Sequence, residues 1–112
     1  MNQTVTVETL KALSMQYHLN AGNEYVNVAQ WAVLNYAPAL LTDYETTFAF
    51  IDQMTKSEFD SASSFFGAMI RKFQSLEMVE KIETVYHRFY STTNNELYRE
   101  TVANIRNFLM TE

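Results

Sequence analysis

His18 and His87 are the chain's two imidazoles, the groups best suited to move protons near neutral pH. His87 follows Glu83 by four residues, which places a carboxylate one helical turn away. No adjacent Ser or Lys marks a nucleophile, so this pair reads as a surface i,i+4 contact. His18 has no acid three or four residues away.

Glu77, Glu80 and Glu83 recur at intervals of three, as metal-binding helices do. The residue three places after Glu83 is Tyr86, not His, and the same stretch carries Lys81 and Arg88. Glu77 and Lys81 are expected to pair on a solvated face, because uncompensated buried carboxylates are too costly. Asp43, Glu45, Asp52 and Asp60 are the remaining candidates for acid–base work. The first three have local jobs at helix ends or turns, and nothing marks two of the four as a pair in an apolar pocket. The only basic doublet is Arg71-Lys72. No EF-hand loop, His-Glu-x-x-His or Walker loop occurs. No catalytic, metal or cofactor site is therefore expected.

Charge narrows the partners. The net charge is −5, and no Lys or Arg lies between Lys11 and Lys56. Residues 1–54 carry one basic and five acidic side chains; residues 55–112 carry seven and eight. An acidic front half repels phosphate backbones, which disfavours direct nucleic-acid binding. No run approaches a membrane span, and the start lacks a signal peptide's basic and apolar regions, so the cytoplasm is the expected location.

Three Thr-x-x-Glu patterns, Thr42/Glu45, Thr55/Glu58 and Thr93/Glu96, each match a capping box ahead of an aromatic-rich helical stretch. With two Gly, one Pro and no Cys, long helices joined by short polar turns are expected. The spacing predicts an all-α single domain over 1–112, a compact bundle of five or six helices. Residues 1–5 are expected to be extended or frayed.

Thr6 caps a first helix with the stripe Leu10, Leu13, Tyr17, ending near Asn20 with Gly22 as a left-handed candidate. A second, over 24–36, is apolar on nearly every face and is expected at the centre, with Pro38 ending or kinking it. Further helices are expected over 43–54, 56–74, 76–90 and 94–110. Their stripes run through Tyr44 and Phe48, then Phe59 and Phe66, then Val79 and Ile82, and finally Tyr98 and Val102.

Sixteen aromatic residues exceed what so small a core requires. Phe50 and Phe65 fall off their stripes, and Tyr25, Tyr36 and Tyr44 lie in the cation-free half. Exposed aromatics anchor interfaces. Tyr25, Tyr36, Asp43, Tyr44, Glu45, Phe50 and Phe65 are therefore the expected partner-binding residues. The expected function is a non-enzymatic protein-binding module, of the inhibitor, immunity or anti-defence type, that occludes a basic surface. A structural homodimer or accessory subunit is the alternative. A small-molecule or enzymatic pocket around Trp31, Tyr36 and His87 is the third reading.

Overall fold

The computed structural model describes residues 5–90, 100 and 104–109. It is all-helical, with five helices and no strand among these residues. Helix α1 is Val7–Ala21. Val28–Trp31, Ala32–Tyr36 and Ala37–Leu40 follow one another as α2, the middle piece being a wide π-helical turn. Helix α3 is Tyr44–Gln53. Lys56–Ala62 and Phe66–Phe73, joined by the tighter turn Ser63–Phe65, make up α4. Helix α5 is Leu76–Tyr90, and Arg106–Phe108 forms a 3-10 turn. α1 touches α2, α3 and α4, while α5 packs on α3 and α4.

Side-chain oxygens mark the helix starts, though not always the expected ones. Thr55 and Glu58 form the capping box as predicted: Glu58 N–H donates to Thr55 Oγ1 at 3.2 Å, and Thr55 N–H donates to Glu58 Oε1 at 2.8 Å. Thr42 does not cap α3. Its hydroxyl donates back to the Pro38 carbonyl at 2.7 Å, closing α2. Asp43 takes its place and accepts from Thr46 N–H at 2.9 Å. A carboxylate is the stronger acceptor there and is favoured by the helix dipole. Thr6 caps α1 with Thr9, not a glutamate, as the reciprocal partner. Thr93 and Glu96 lie outside the described residues, as does most of the expected last helix.

Gly22 is not left-handed; its φ is −86°, in a turn closed by Asn23 N–H on the Asn20 carbonyl. The left-handed residue is Gln74, at the end of α4 with φ 50°. Its amide donates to the Ile70, Arg71 and Phe108 carbonyls at 3.0, 3.1 and 3.0 Å. This end-cap ties the 3-10 turn to α4. Gly67 lets Phe108 come close, since a Cβ there would stand 2.9 Å from the ring.

The second helix is shorter and less enclosed than expected. It begins at Val28, not Glu24. It buries one stripe, Ala32, Tyr36 and Leu40, and leaves Val33 and Leu34 exposed. Apolar composition on every face therefore does not produce burial on every face. Pro38 does not end the rod. A regular helix would drive its ring into the Leu34 carbonyl. The wide turn before it takes up that clash, with Ala37 N–H reaching back to Ala32 O.

The buried side chains form one cluster contributed by all five helices and Ile105. Phe59, Ala62, Phe66, Met69 and Ile70 of α4 meet Met78, Val79, Ile82, Val85 and Tyr86 of α5 within it. Phe59 sits among Phe66, Tyr86, Phe89 and Tyr90, with ring centroids 5.2–6.5 Å apart. Tyr90 Oη donates to Asp60.

One polar layer interrupts this core. Ser14 Oγ and Ser61 Oγ lie 2.8 Å apart, both buried, and Ser61 also donates to the Glu58 carbonyl at 3.0 Å. The Tyr36 hydroxyl meets this pair but makes no hydrogen bond of proper geometry. Desolvation outweighs the help of Ser61 and Ser14, and the Tyr36 pKa is raised. Tyr36→Phe keeps the ring and removes the stranded hydroxyl. It is expected to raise unfolding stability by about 1 kcal/mol in urea denaturation. A loss of that size would mean instead that the serines hold the phenol.

Candidate functional site

The seven residues expected at a partner surface divide into four groups. Asp43, Tyr44 and Glu45 come together at the start of α3. Asp43 and Glu45 are exposed, and Tyr44 is half-buried. With Phe48, Ala49 and Glu77 of α5, Tyr44 and Glu45 line a notch of about 290 Å³. Tyr44 Oη is 2.7 Å from Ser75 Oγ, which itself accepts from Met78 N–H at 3.1 Å at the start of α5. The Tyr44 ring lies 5.8 Å from Phe48 and meets Phe73 edge-on at 5.5 Å. The notch thus has two held aromatic walls and two solvated glutamates.

Tyr36 and Phe50 are core residues instead, both with 0% exposure. Tyr36 faces inward from the one stripe that α2 buries. Phe50 is off the α3 stripe only if α3 has a single neighbour. Contact with both α1 and α5 encloses it, and the Lys11 ammonium lies 5.9 Å from its ring centroid. Phe65 is half-buried and meets Tyr36 edge-on at 5.9 Å, so it packs on a second neighbour. Tyr25 is 89% exposed on the connection between α1 and α2.

A second concavity went unread in the sequence. It is a groove of about 570 Å³ between α1 and the first turn of α4, lined among others by Lys11, Ala12, Met15, His18, Leu19 and Ser57. Met15 and Leu19 are 67% and 64% exposed. The signal was there: Ala12, Met15 and Leu19 follow i, i+3, i+7 on the face opposite Leu10, Leu13 and Tyr17. His18 Nε2 lies 3.1 Å from the Ser57 carbonyl oxygen, and Lys11 Nζ lies 3.2 Å from Glu58 Oε1.

Several other titratable groups engage in structural pairs. Lys81 pairs with Asp52 of α3 at 2.9 Å, not with Glu77. It also lies 5.6 Å from the Phe48 ring centroid. Glu83 pairs with Arg106 at 2.6 Å, and this contact holds the arginine's pKa up, while His87 is exposed. Neither concavity is lined by Trp31, Tyr36 or His87. Among the described residues no three His, Asp or Glu side chains are grouped to hold a metal. No helix among them is long and apolar enough to cross a membrane.

Comparison with protein families, with curated proteins and with solved structures finds no match to this chain.

Two predictions follow from these placements. Phe50→Ala is expected to lower stability by about 3–5 kcal/mol, the usual loss for an enclosed ring. Tyr25→Ala should stay within ~0.5 kcal/mol of the parent in the same denaturation assay. The second concerns acid. The Thr46 hydroxyl and then its N–H hold the Asp43 carboxyl below its ordinary value of 3.8; Lys81 does the same for Asp52. A lowered folded pKa gives stability that is full above about pH 4 and lost as pH falls through the folded value. The urea midpoint should therefore drop below about pH 4, and drop less steeply in D43N and D52N.

Proposed function

We propose that this chain is a non-enzymatic protein-binding module, an inhibitor, immunity or anti-defence type protein of the cytoplasm that occludes a basic surface on its partner. The observation that carries the reading is the notch between α3 and α5. Glu45 and Glu77 flank the rings of Tyr44 and Phe48 there. Carboxylates at the edge of an interface speed encounter with a cationic partner, and fixed aromatic rings supply contact area. The absence of any cation between Lys11 and Lys56 leaves Asp43 and Glu45 with no neighbouring positive charge in sequence. Tyr44 is pinned by Ser75 and loses little side-chain freedom on binding.

The reading is tested by affinity capture on wild-type and E45K/E77K baits at low and high salt. The wild type should retain a basic protein in stoichiometric amount and release it at about 1 M salt, where screening shortens to ~3 Å. The charge-reversed bait should retain at least about tenfold less. Recovery of no stoichiometric partner, or equal recovery on both baits, sinks the proposal.

A further inference from the structure

Lys81 shapes the charge of the notch between α3 and α5. On an isolated helix it would pair with Glu77, four residues earlier. In the fold it turns to Asp52 of α3 at 2.9 Å and does not line the notch. Glu77 is thereby left exposed without its cation, in the same notch as exposed Glu45. Among the described residues neither carboxylate has a side-chain hydrogen bond or an ion pair. The half-buried rings of Tyr44 and Phe48 share the notch with them, and Tyr44 is anchored by Ser75 at 2.7 Å and by Phe73 edge-on. We propose that this notch is a receptacle for one arginine side chain of the partner protein, whose guanidinium stacks on the exposed ring surface and donates to Glu45 and Glu77. The inference rests on the docking reading above for the source of that arginine.

Size and charge choose this occupant. The notch holds about 290 Å³. That is just below the roughly 300–1,000 Å³ of sites for drug-sized ligands, so it takes one long side chain and not a helix. Two solvated carboxylates on a chain of net charge −5 repel an acidic or phosphorylated side chain. A wholly apolar one would strip water from both carboxylates and return no hydrogen bond. Of the two long cations, arginine suits the walls better. Its guanidinium is planar, stacks on a ring and carries five donors, enough for two carboxylates; a lysine ammonium is a strongly hydrated point charge. The molecule itself displays the difference. The Arg71 guanidinium lies 4.4 Å from the Phe108 ring centroid, whereas Lys56, Lys81 and Lys11 stand 5.0, 5.6 and 5.9 Å from the rings they approach. The guanidinium lies over the rings, not between them. Insertion would need about 7 Å, twice the usual ~3.5 Å contact, and the centroids of Tyr44 and Phe48 are 5.8 Å apart. Lys81 offers little opposition, because Asp52 matches its charge.

Titration with a capped glycine-arginine-glycine peptide, followed by the aromatic NMR resonances of the whole chain, tests the proposal. The ring signals of Tyr44 and Phe48 should shift saturably, with half-saturation at about 1 mM, the order expected of so small a ligand. The lysine peptide should bind about fivefold more weakly. The citrulline peptide, which keeps the shape and loses the charge, should leave both rings unmoved. E45Q/E77Q, altered only at exposed positions, should fold as the wild type does and bind the arginine peptide about tenfold more weakly. F48L keeps the carboxylates and loses a ring, and should bring arginine and lysine level. No response at Tyr44 and Phe48, equal binding of the arginine and citrulline peptides, or unchanged affinity in E45Q/E77Q would overturn it. Salt-sensitive capture of a basic partner beside a notch silent to arginine would leave the docking reading standing and remove this inference alone. A saturable arginine response with no partner captured would do the opposite.

Discussion

The hydrogen bond between Ser14 and Ser61 fixes more of this structure than its size suggests. Helix α1 has apolar residues on opposite faces, so hydrophobic burial alone leaves its rotation undecided. A buried hydroxyl pair is directional. It must meet its partner or lose the full desolvation term. With Ser14 facing Ser61, Leu10 enters the core and Met15 and Leu19 point to solvent. The Lys11–Glu58 and His18–Ser57 contacts lie along the same seam and repeat the instruction. Glu58 serves twice, as it also closes the capping box with Thr55. One glutamate thus contributes to both the start of α4 and the rotation of α1. Tyr36 bears the local disadvantage of this arrangement: its phenol is enclosed beside two hydroxyls that are already engaged.

Electrostatics divides the surface into two kinds. Near α1, Lys11 is tied to Glu58 and His18 to the Ser57 carbonyl, while Glu8 is exposed. Along α3 and α5 several carboxylates remain in solvent, although Asp52 and Glu83 are drawn into cross-helix pairs with Lys81 and Arg106. Exposed pairs of this kind add little to stability. Their effect is to orient the long side chains. Lys81, held by Asp52, lies near Phe48. The walls of the notch are accordingly ordered by contacts that do not depend on any ligand.

Much of the fold was legible in the sequence because its helices advertise themselves locally. Thr6, Thr55 and Ser75 do what their types predict at helix starts. The stripe of α4 through Phe59, Phe66, Met69 and Ile70 is buried as its spacing requires. Where reading failed, the deciding fact was tertiary. Thr42 lost the cap to Asp43 because α2 ends close enough for its hydroxyl to be used at Pro38. Lys81 left Glu77 because Asp52 approaches from another helix. Asp43, Tyr44 and Glu45 were placed together correctly because they adjoin one another in sequence. Glu77, which faces them across the notch, is 32 positions from Glu45, and no periodicity links such residues. Phe50 is enclosed for the same reason: it lies off the α3 stripe, but α3 has neighbours on two sides, and half-buried Phe65 likewise meets Tyr36 on a second one.

The wide turn Ala32–Tyr36 also bears on motion. It stands between two four-residue helical pieces, too short to persist alone, and Pro38 donates no amide to the rod. Asn35 spends its side chain on the Trp31 carbonyl at 3.0 Å, a patch on a ladder with irregular rungs. A rod built this way is expected to open at lower cost than the unbroken 15-residue helices α1 and α5. The chain's single tryptophan sits immediately before that weak point. Its fluorescence is therefore a natural gauge of partial unfolding, distinct from the cooperative loss of the whole core.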